Sequence, residues 1–271
     1  MVRVAIAGAA GRMGRSLIEA FNDDSHDSKV TVATVLSDDP SLGMDSGILA
    51  MGISNKILTV SDIGNFVDDF DVLVDFTEPA ATEQHILLCK NNRKAMVIGT
   101  TGLSQHQIKL VREAGEKIPI VFSPNMSIGV NLCFGLVEAV AKVVGDQYDI
   151  EIFEAHHRNK KDSPSGTALK MGQLIADTLG RDFKDVSIYG REGLSDQRDL
   201  NTIGFSTMRA GDIVGDHTIT FAGRGERIEI THKASNRMTF ASGAVKAASW
   251  IFGREAGTYS MQDILDLRIS I

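Results

Sequence analysis

The chain has 271 residues, enough for one large domain or two ordinary ones, and its 43% hydrophobic and 23% charged residues are those of a soluble globular protein. Its formal net charge of -7 argues against a nucleic-acid partner, which needs a basic face. No apolar run approaches the length of a membrane span, so no membrane partner is expected.

Cys89 and Cys133 have no framework spacing and read as reduced, buried thiols of a cytoplasmic protein. A strand pattern begins at Val2, so no signal peptide is expected ahead of the fold. That strand, Val2 to Ala7, runs into Gly8-Ala9-Ala10-Gly11-Arg12-Met13-Gly14. A helical pattern follows, with Met13, Leu17, Ile18 and Phe21 on one side. Strand, glycine-rich turn and helix form the context that a dinucleotide fingerprint requires, although the spacing is G-x-x-G-x-x-G. Without a Cβ in the way, backbone can approach a pyrophosphate at a helix N-terminus. The alternative is a tight strand-to-helix turn with no ligand.

Val30 to Leu36 reads as the second strand, ending at Ser37-Asp38-Asp39. An acid there can accept hydrogen bonds from an adenosine ribose, and Asp38 is the better placed; otherwise it is a solvated loop acid. It would repel a 2′-phosphate that Arg12 or Arg15 could attract, so NADH against NADPH stays open. Ser41 to Ser54 reads as a loop region. Strands at Asp71 to Phe76, Ala95 to Ile98 and Ile118 to Phe122 then alternate with helices at Ala80 to Cys89 and Ser104 to Gly115, which implies a parallel sheet. Ligands of such sheets bind beyond the strands' carboxyl ends. That singles out Gly8 to Met13, Asp38, Phe76-Thr77, Gly99-Thr100-Thr101 and Ser123-Pro124-Asn125-Met126.

A helix from Ser127 to Val144 leads into a different grammar. Asp149 to Ala155 reads as a strand, and Val186 to Tyr189, Ile203 to Thr207, Asp216 to Ala222 and Arg227 to His232 as further strands with few helices between. The charged loop Arg191 to Asn201 is expected to be mobile. Arg237 to Phe252 is helical and is expected to return to the first domain, making a hinged pair. The fold class is therefore α/β: an N-terminal Rossmann-like parallel-sheet domain (1–127 and 238–271) plus a smaller α+β domain with an open mixed sheet (128–237).

One segment of the second domain concentrates chemistry: Glu154 to Ala168, E-A-H-H-R-N-K-K-D-S-P-S-G-T-A. Ser163-Pro164 reads as a helix start, with Ser163 capping and Ser165, Gly166 and Thr167 in the first turn. First-turn amides and the helix dipole favour an anion there. If His156 and His157 are both extended, they face opposite ways, and no third ligand has zinc spacing, so no metal is expected. Lys160 among Arg158 and Lys161 is a candidate acid, since neighbouring cations lower a lysine's pKa. S-P-S-G lacks a nucleophile elbow. His232 has no readable partner and reads as structural or interfacial.

The motifs at 8–14, 74–77 (V-D-F-T), 99–102 (G-T-T-G), 154–168, 209–217 (R-A-G-D-I-V-G-D-H) and 229–237 (E-I-T-H-K-A-S-N-R) together resemble the 4-hydroxy-tetrahydrodipicolinate reductase family along nearly the whole chain. The resemblance implies NADPH- or NADH-dependent reduction of a small cyclic dicarboxylate, in lysine and diaminopimelate biosynthesis, by a homotetramer joined through the second domain's sheet. It implies that Gly8, Ala9, Ala10, Gly11, Arg12 and Met13 wrap the pyrophosphate, that Ser37 and Asp38 face the adenosine ribose, and that Gly99, Thr100, Thr101 and Ser123 to Met126 lie near the nicotinamide. His156 becomes the proton donor or acceptor, His157 a substrate contact, Lys160 the proton donor, and Gly166 and Thr167 a carboxylate seat. Departures are Ser37-Asp38, where many relatives carry Glu-Arg, Ser123-Pro124 for two alanines, and Asn159 for a frequent histidine. Two rivals are another oxidoreductase on the same cofactor domain, and a non-enzymatic NAD sensor.

Overall fold

The computed structural model describes residues 1–23, 27–194 and 196–267. Residues 268–271, read above as the end of the nucleotide domain, lie outside them. The chain divides into two compact units, Met1–Ile128 with Arg237–Asp266, and Gly129–Asn236, with which Leu267 also groups.

The first unit opens with β1 (Val2–Ala7), α1 (Arg12–Phe21), β2 (Ser28–Thr34), α2 (Ser46–Met51) and β3 (Thr59–Val60). A 3-10 segment at Ile63–Asp69 leads to β4 (Val72–Asp75), α3 (Pro79–Asn92), β5 (Ala95–Ile98), α4 (Gln105–Gly115) and β6 (Pro119–Phe122). The second unit holds α5 (Ile128–Val144, whose first residue groups with the first unit), β7 (Asp149–His156), α6 (Gly166–Thr178), α7 (Phe183–Val186), β8 (Ser187–Tyr189), β9 (Ile203–Arg209), β10 (Gly215–Gly223) and β11 (Glu226–Ala234). Finally α8 (Met238–Ile251), β12 (Gly257–Tyr259) and α9 (Met261–Leu265) belong to the first unit.

The first unit's sheet has the order β12-β6-β5-β4-β1-β2-β3, and its paired strands all run parallel. All carboxyl ends therefore share one edge. The order reverses direction at β1, which pairs with both β2 and β4; this is where open parallel sheets offer a crevice. β4 and β5 are buried at every residue, as continuous apolar runs under two layers of helices should be. Their side chains divide between one core with α1 and α8 and another with Ile86, Val111 and Ala114.

The second unit's sheet has the order β11-β10-β7-β9-β8, mixed because β10 runs antiparallel to β7 and β11 while β7, β8 and β9 run parallel. Ile150, Ile152, Ile203, Phe205, Ile219 and Phe221 alternate along three strands onto one face. That face packs on α5 and α6.

Several boundaries move. The second strand stops at Thr34, two residues before the expected end, so Ser37 and Asp38 stand in a loop rather than at the strand terminus. The Ser41–Ser54 region contains α2, nucleated by Asp45, whose carboxylate accepts from the amides of Gly47 and Ile48. Two described residues of the loop expected to be mobile are bonded to the sheet and the strand beside it. Arg191 is bidentate on Glu151 (2.8 and 3.0 Å), and Arg198 bonds Asp149 (2.7 Å) and the carbonyls of Ile150 and Thr202.

Gly14 lets α1 press onto the end of β1: a Cβ there would overlap the carbonyl oxygen of Gly8 and sit 2.8 Å from Ala9 Cα. Gly14→Ala should therefore cost about 1–3 kcal/mol, as overpacking does. A urea-unfolding midpoint equal to that of the parent chain would contradict this packing.

Candidate functional site

In the first unit, Gly8 follows β1 in the left-handed region (φ +71°), a conformation glycine adopts without Cβ strain. The turn closes through Gly11 N–H to Gly8 O (3.0 Å), and Ala9 N–H bonds Thr34 O (2.7 Å). Gly11 is the N-cap of α1 and has no side chain to satisfy the first-turn amides, whereas α2, α4 and α6 are capped by Asp45, Ser104 and Ser165. A bare ten-residue helix N-terminus behind a glycine turn fits a pyrophosphate. Gly11 and Arg12 are exposed, Ala9 is buried, and Ala10 and Met13 are half-buried. Arg15 bonds Ala10 O through Nε (3.0 Å). Ser37 and Asp38 are both exposed, while Asp39 is turned to Ser41, accepting from its amide (2.8 Å) and hydroxyl (2.5 Å). Those bonds, with Arg15 nearby, hold Asp39 below the usual carboxylate range.

The next strand ends hang on a residue that the sequence reading passed over. Asp75 is fully buried and accepts from Thr77 N–H (2.8 Å), Thr77 Oγ1 (2.6 Å) and His85 Nδ1 (2.8 Å). Thr100 Oγ1 approaches at 3.4 Å and accepts from Thr82 (2.8 Å). Burial pushes the Asp75 carboxyl up, but His85 and Thr77 outweigh it and hold the pKa low. Gly99 lies under the Phe76 ring, where a Cβ would overlap ring carbons, and Thr101 is exposed beyond it. In the last segment Ser123 Oγ donates to Asn125 O (2.8 Å), Asn125 Oδ1 accepts from Ser127 N–H (2.9 Å), Met126 is buried and Pro124 is exposed. A strand of four buried residues ending in an acid was the available signal for Asp75.

The second unit's site is built around the end of β7. Glu154 is fully buried; it receives Arg209 through two bonds (2.7 and 2.8 Å), His156 Nδ1 (2.6 Å) and the amide of Ser165 (3.0 Å). Burial pushes its carboxyl up, but the bonds from Arg209 and His156 prevail and leave the pKa lowered. Burial pushes the His156 pKa down; Glu154 pulls it up, and Lys160 and Arg209 push it down again, with a net lowering. A neutral His156 facing a carboxylate carries its hydrogen on Nδ1 and leaves Nε2 as an acceptor.

The helix starts later than expected. Ser165, extended at φ -64° and ψ 152°, is the N-cap: its hydroxyl accepts from Ala168 N–H (3.2 Å). The cap is therefore Ser165 and not Ser163, and Gly166 and Thr167 take the first two helical positions. A Cβ on Gly166 would meet open space. Ser165 also contacts His217 Nε2 (2.8 Å), but this Ser–His pair is no nucleophile: Ser165 is buried and committed to its cap, and His217 Nδ1 has no hydrogen-bond partner among the described residues.

His157 is half-buried just beyond the strand, with Nδ1 unpartnered among the described residues, and its carbonyl accepts from Lys160 N–H (3.1 Å). The cationic surroundings read around Lys160 are incomplete, since Nζ donates to Asp162 (2.9 Å). Arg209 and His217 sit fifty residues on; only the strand pairing of β7 with β9 and β10 brings them here. His232 lies opposite His217 in the β10–β11 register, and burial lowers its pKa.

Residues 129–265 match the family described as dihydrodipicolinate reductase, C-terminus, and residues 2–126 its N-terminus. A 4-hydroxy-tetrahydrodipicolinate reductase of Pseudomonas fluorescens is 55% identical over 269 residues, covering 99% of this chain and 100% of its own. One from Hahella chejuensis is 52% identical over the same length and shares. A solved dipicolinate-bound dihydrodipicolinate reductase from Paenisporosarcina is 25% identical at a TM-score of 0.74, covering 97% of this chain and 99% of that one.

His217 gives this site a pH signature. Burial and the neighbouring His156 push its pKa down from 6.5 to about 3. The unfolded ring takes up a proton near 6.5 and the folded ring does not, so stability falls as pH drops through that interval. By this route the chain should lose about 2–3 kcal/mol between pH 7 and 4.5. His217→Gln should lack that part of the loss in urea titrations at both pH values; an unchanged difference would contradict the assignment.

Proposed function

The chain belongs to the dihydrodipicolinate reductase family, and from that premise we propose how its residues divide the NAD(P)H-dependent reduction of 4-hydroxy-tetrahydrodipicolinate to tetrahydrodipicolinate. This reduction, in which the 4-hydroxyl leaves as water, is a step of lysine and diaminopimelate biosynthesis. When bound, the nicotinamide nucleotide supplies the hydride. Gly8 to Met13 hold its pyrophosphate with backbone amides. Ser37 and Asp38 face the adenosine ribose, and Gly99 to Thr101 with Ser123 to Met126 hold the nicotinamide end.

The substrate is a dicarboxylate, and the second unit supplies cations and amides for it. Gly166 and Thr167, at the start of α6, seat one carboxylate, aided by the helix dipole. His157 contacts the substrate as well. Lys160 gives the proton that the reduced ring requires, and His156 handles protons through Nε2. The observation that carries this reading is the junction of β7 and α6: a buried imidazole and the amide of Ser165, the residue that caps the helix ahead of Gly166, are bonded to the same carboxylate. Positioning of acid, acceptor and hydride donor then supplies much of the rate.

The outward face of the second unit's sheet exposes Phe153 and Met208, and we assign to this face the joining of four copies. The enzyme works in the cytoplasm.

Lys160→Ala should lower kcat by about 10²–10⁴, the worth of a positioned acid. His157→Ala should chiefly raise the substrate KM. Both are read from NAD(P)H oxidation with freshly prepared substrate; an undiminished kcat in Lys160→Ala removes it from the chemistry. Phe153→Asp should shift the sedimentation coefficient to a smaller species, and an intact tetramer would refute that interface.

A further inference from the structure

The reaction as proposed gives no task to the most deeply buried charge of its second unit, Glu154. We infer that Glu154 is a positioning residue that fixes the His156 ring and the first turn of α6 together, keeping the proton-handling nitrogen and the carboxylate seat in one register. This rests on the roles proposed for His156 and for Gly166 and Thr167.

The argument is oxygen by oxygen. Oε2 accepts from His156 Nδ1 (2.6 Å) and one Arg209 nitrogen (2.8 Å). Oε1 accepts from the Ser165 amide (3.0 Å) and the other Arg209 nitrogen (2.7 Å). A carboxylate has about four acceptor sites, so the group is saturated by donors alone. Of the two neutral forms of His156, only the Nδ1–H tautomer can complete this set, which assigns the lone pair to Nε2. That nitrogen is left uncovered by Gly215, where a Cβ would stand 3.0 Å away. The ring's remaining freedom is blocked by His217, edge-on at 5.2 Å, which itself bonds Ser165. The charged and titratable groups around the pair are Arg209 on β9, the neutral His217 on β10, and Lys160 and Asp162 on the loop after β7.

Glutamine cannot replace this carboxylate. It offers one acceptor oxygen and one NH₂, and every group facing Glu154 is a donor. In Glu154→Gln the NH₂ must face either His156 or Ser165, and with one end of the bridge lost the ring and the helix start are no longer held in register, so both kinetic terms should move.

The test has two readouts. In ¹⁵N-histidine-labelled enzyme at pH 7.5, solid-state NMR should show His156, identified by its loss in His156→Asn, protonated on Nδ1 and bare on Nε2. In Glu154→Gln that single tautomer should be lost, kcat should fall by about tenfold or more, and the substrate KM should rise severalfold. The dissociation constant for NADH should stay unchanged. Because Glu154→Gln strands the Arg209 charge, Glu154→Gln/Arg209→Met serves as the second variant, with the same kinetic changes expected. A wild-type ring protonated on Nε2 overturns the inference even if neither variant folds. So does a folded variant with parental kcat and KM. If instead His156→Asn turns over like the parent while the wild-type ring is held as Nδ1–H, the proposed role of His156 fails and the tautomer assignment stands.

Discussion

A carboxylate buried where β7 ends is the interaction on which the second unit's chemistry depends. Glu154 is out of water, and a lone charge there would cost several kcal/mol. Arg209 from a neighbouring strand, the His156 ring and the Ser165 amide each return part of that cost, and each is thereby fixed in place. One desolvated charge thus determines an imidazole tautomer, the first residue of a helix and the path of the loop after β9, where Ala210 N–H bonds His156 O.

The first unit repeats the device with other residues. Asp75 ends β4 fully buried, and its acceptor sites gather Thr77, His85 and Thr100, from the loop after β4, from α3 and from the turn after β5. A parallel sheet brings strand ends to a common edge, but the loops there have no ladder bonds of their own. A buried acid supplies acceptors that hold them, and its pKa stays low because the donors outweigh desolvation. Both acids follow apolar residues of their strand, which place them under cover, and both stand where the chain turns toward a helix.

Net charge is a poor guide to such a site. The chain carries -7 overall, yet His156, His157, Arg158, Lys160 and Lys161 crowd six positions, with Arg209 added by the fold. The acids that balance them locally, Glu154 and Asp162, are engaged by Arg209 and Lys160. Apart from the His156 Nε2 lone pair, what remains toward a ligand is hydrogen-bond donors, which suits an anion.

The sequence by itself determined the two sheets, the alternation that makes the first one parallel, the glycine turn before α1 and the segment that carries His156, Lys160 and Gly166. These rest on local signals: hydrophobic period, glycine where a Cβ has no room, and chemistry-bearing residues close in the chain. It misjudged where α6 begins, because Ser163 and Ser165 are equally good caps locally and the choice falls to Ser165, whose amide Glu154 takes. It did not yield Asp75 with His85, nor Arg209 and His217 beside His156. Those partners are ten and fifty or more residues apart, and only strand pairing and burial bring them together. Tertiary structure alone decided them, since the worth of a charge depends on the water it has lost and on the donors that reach it.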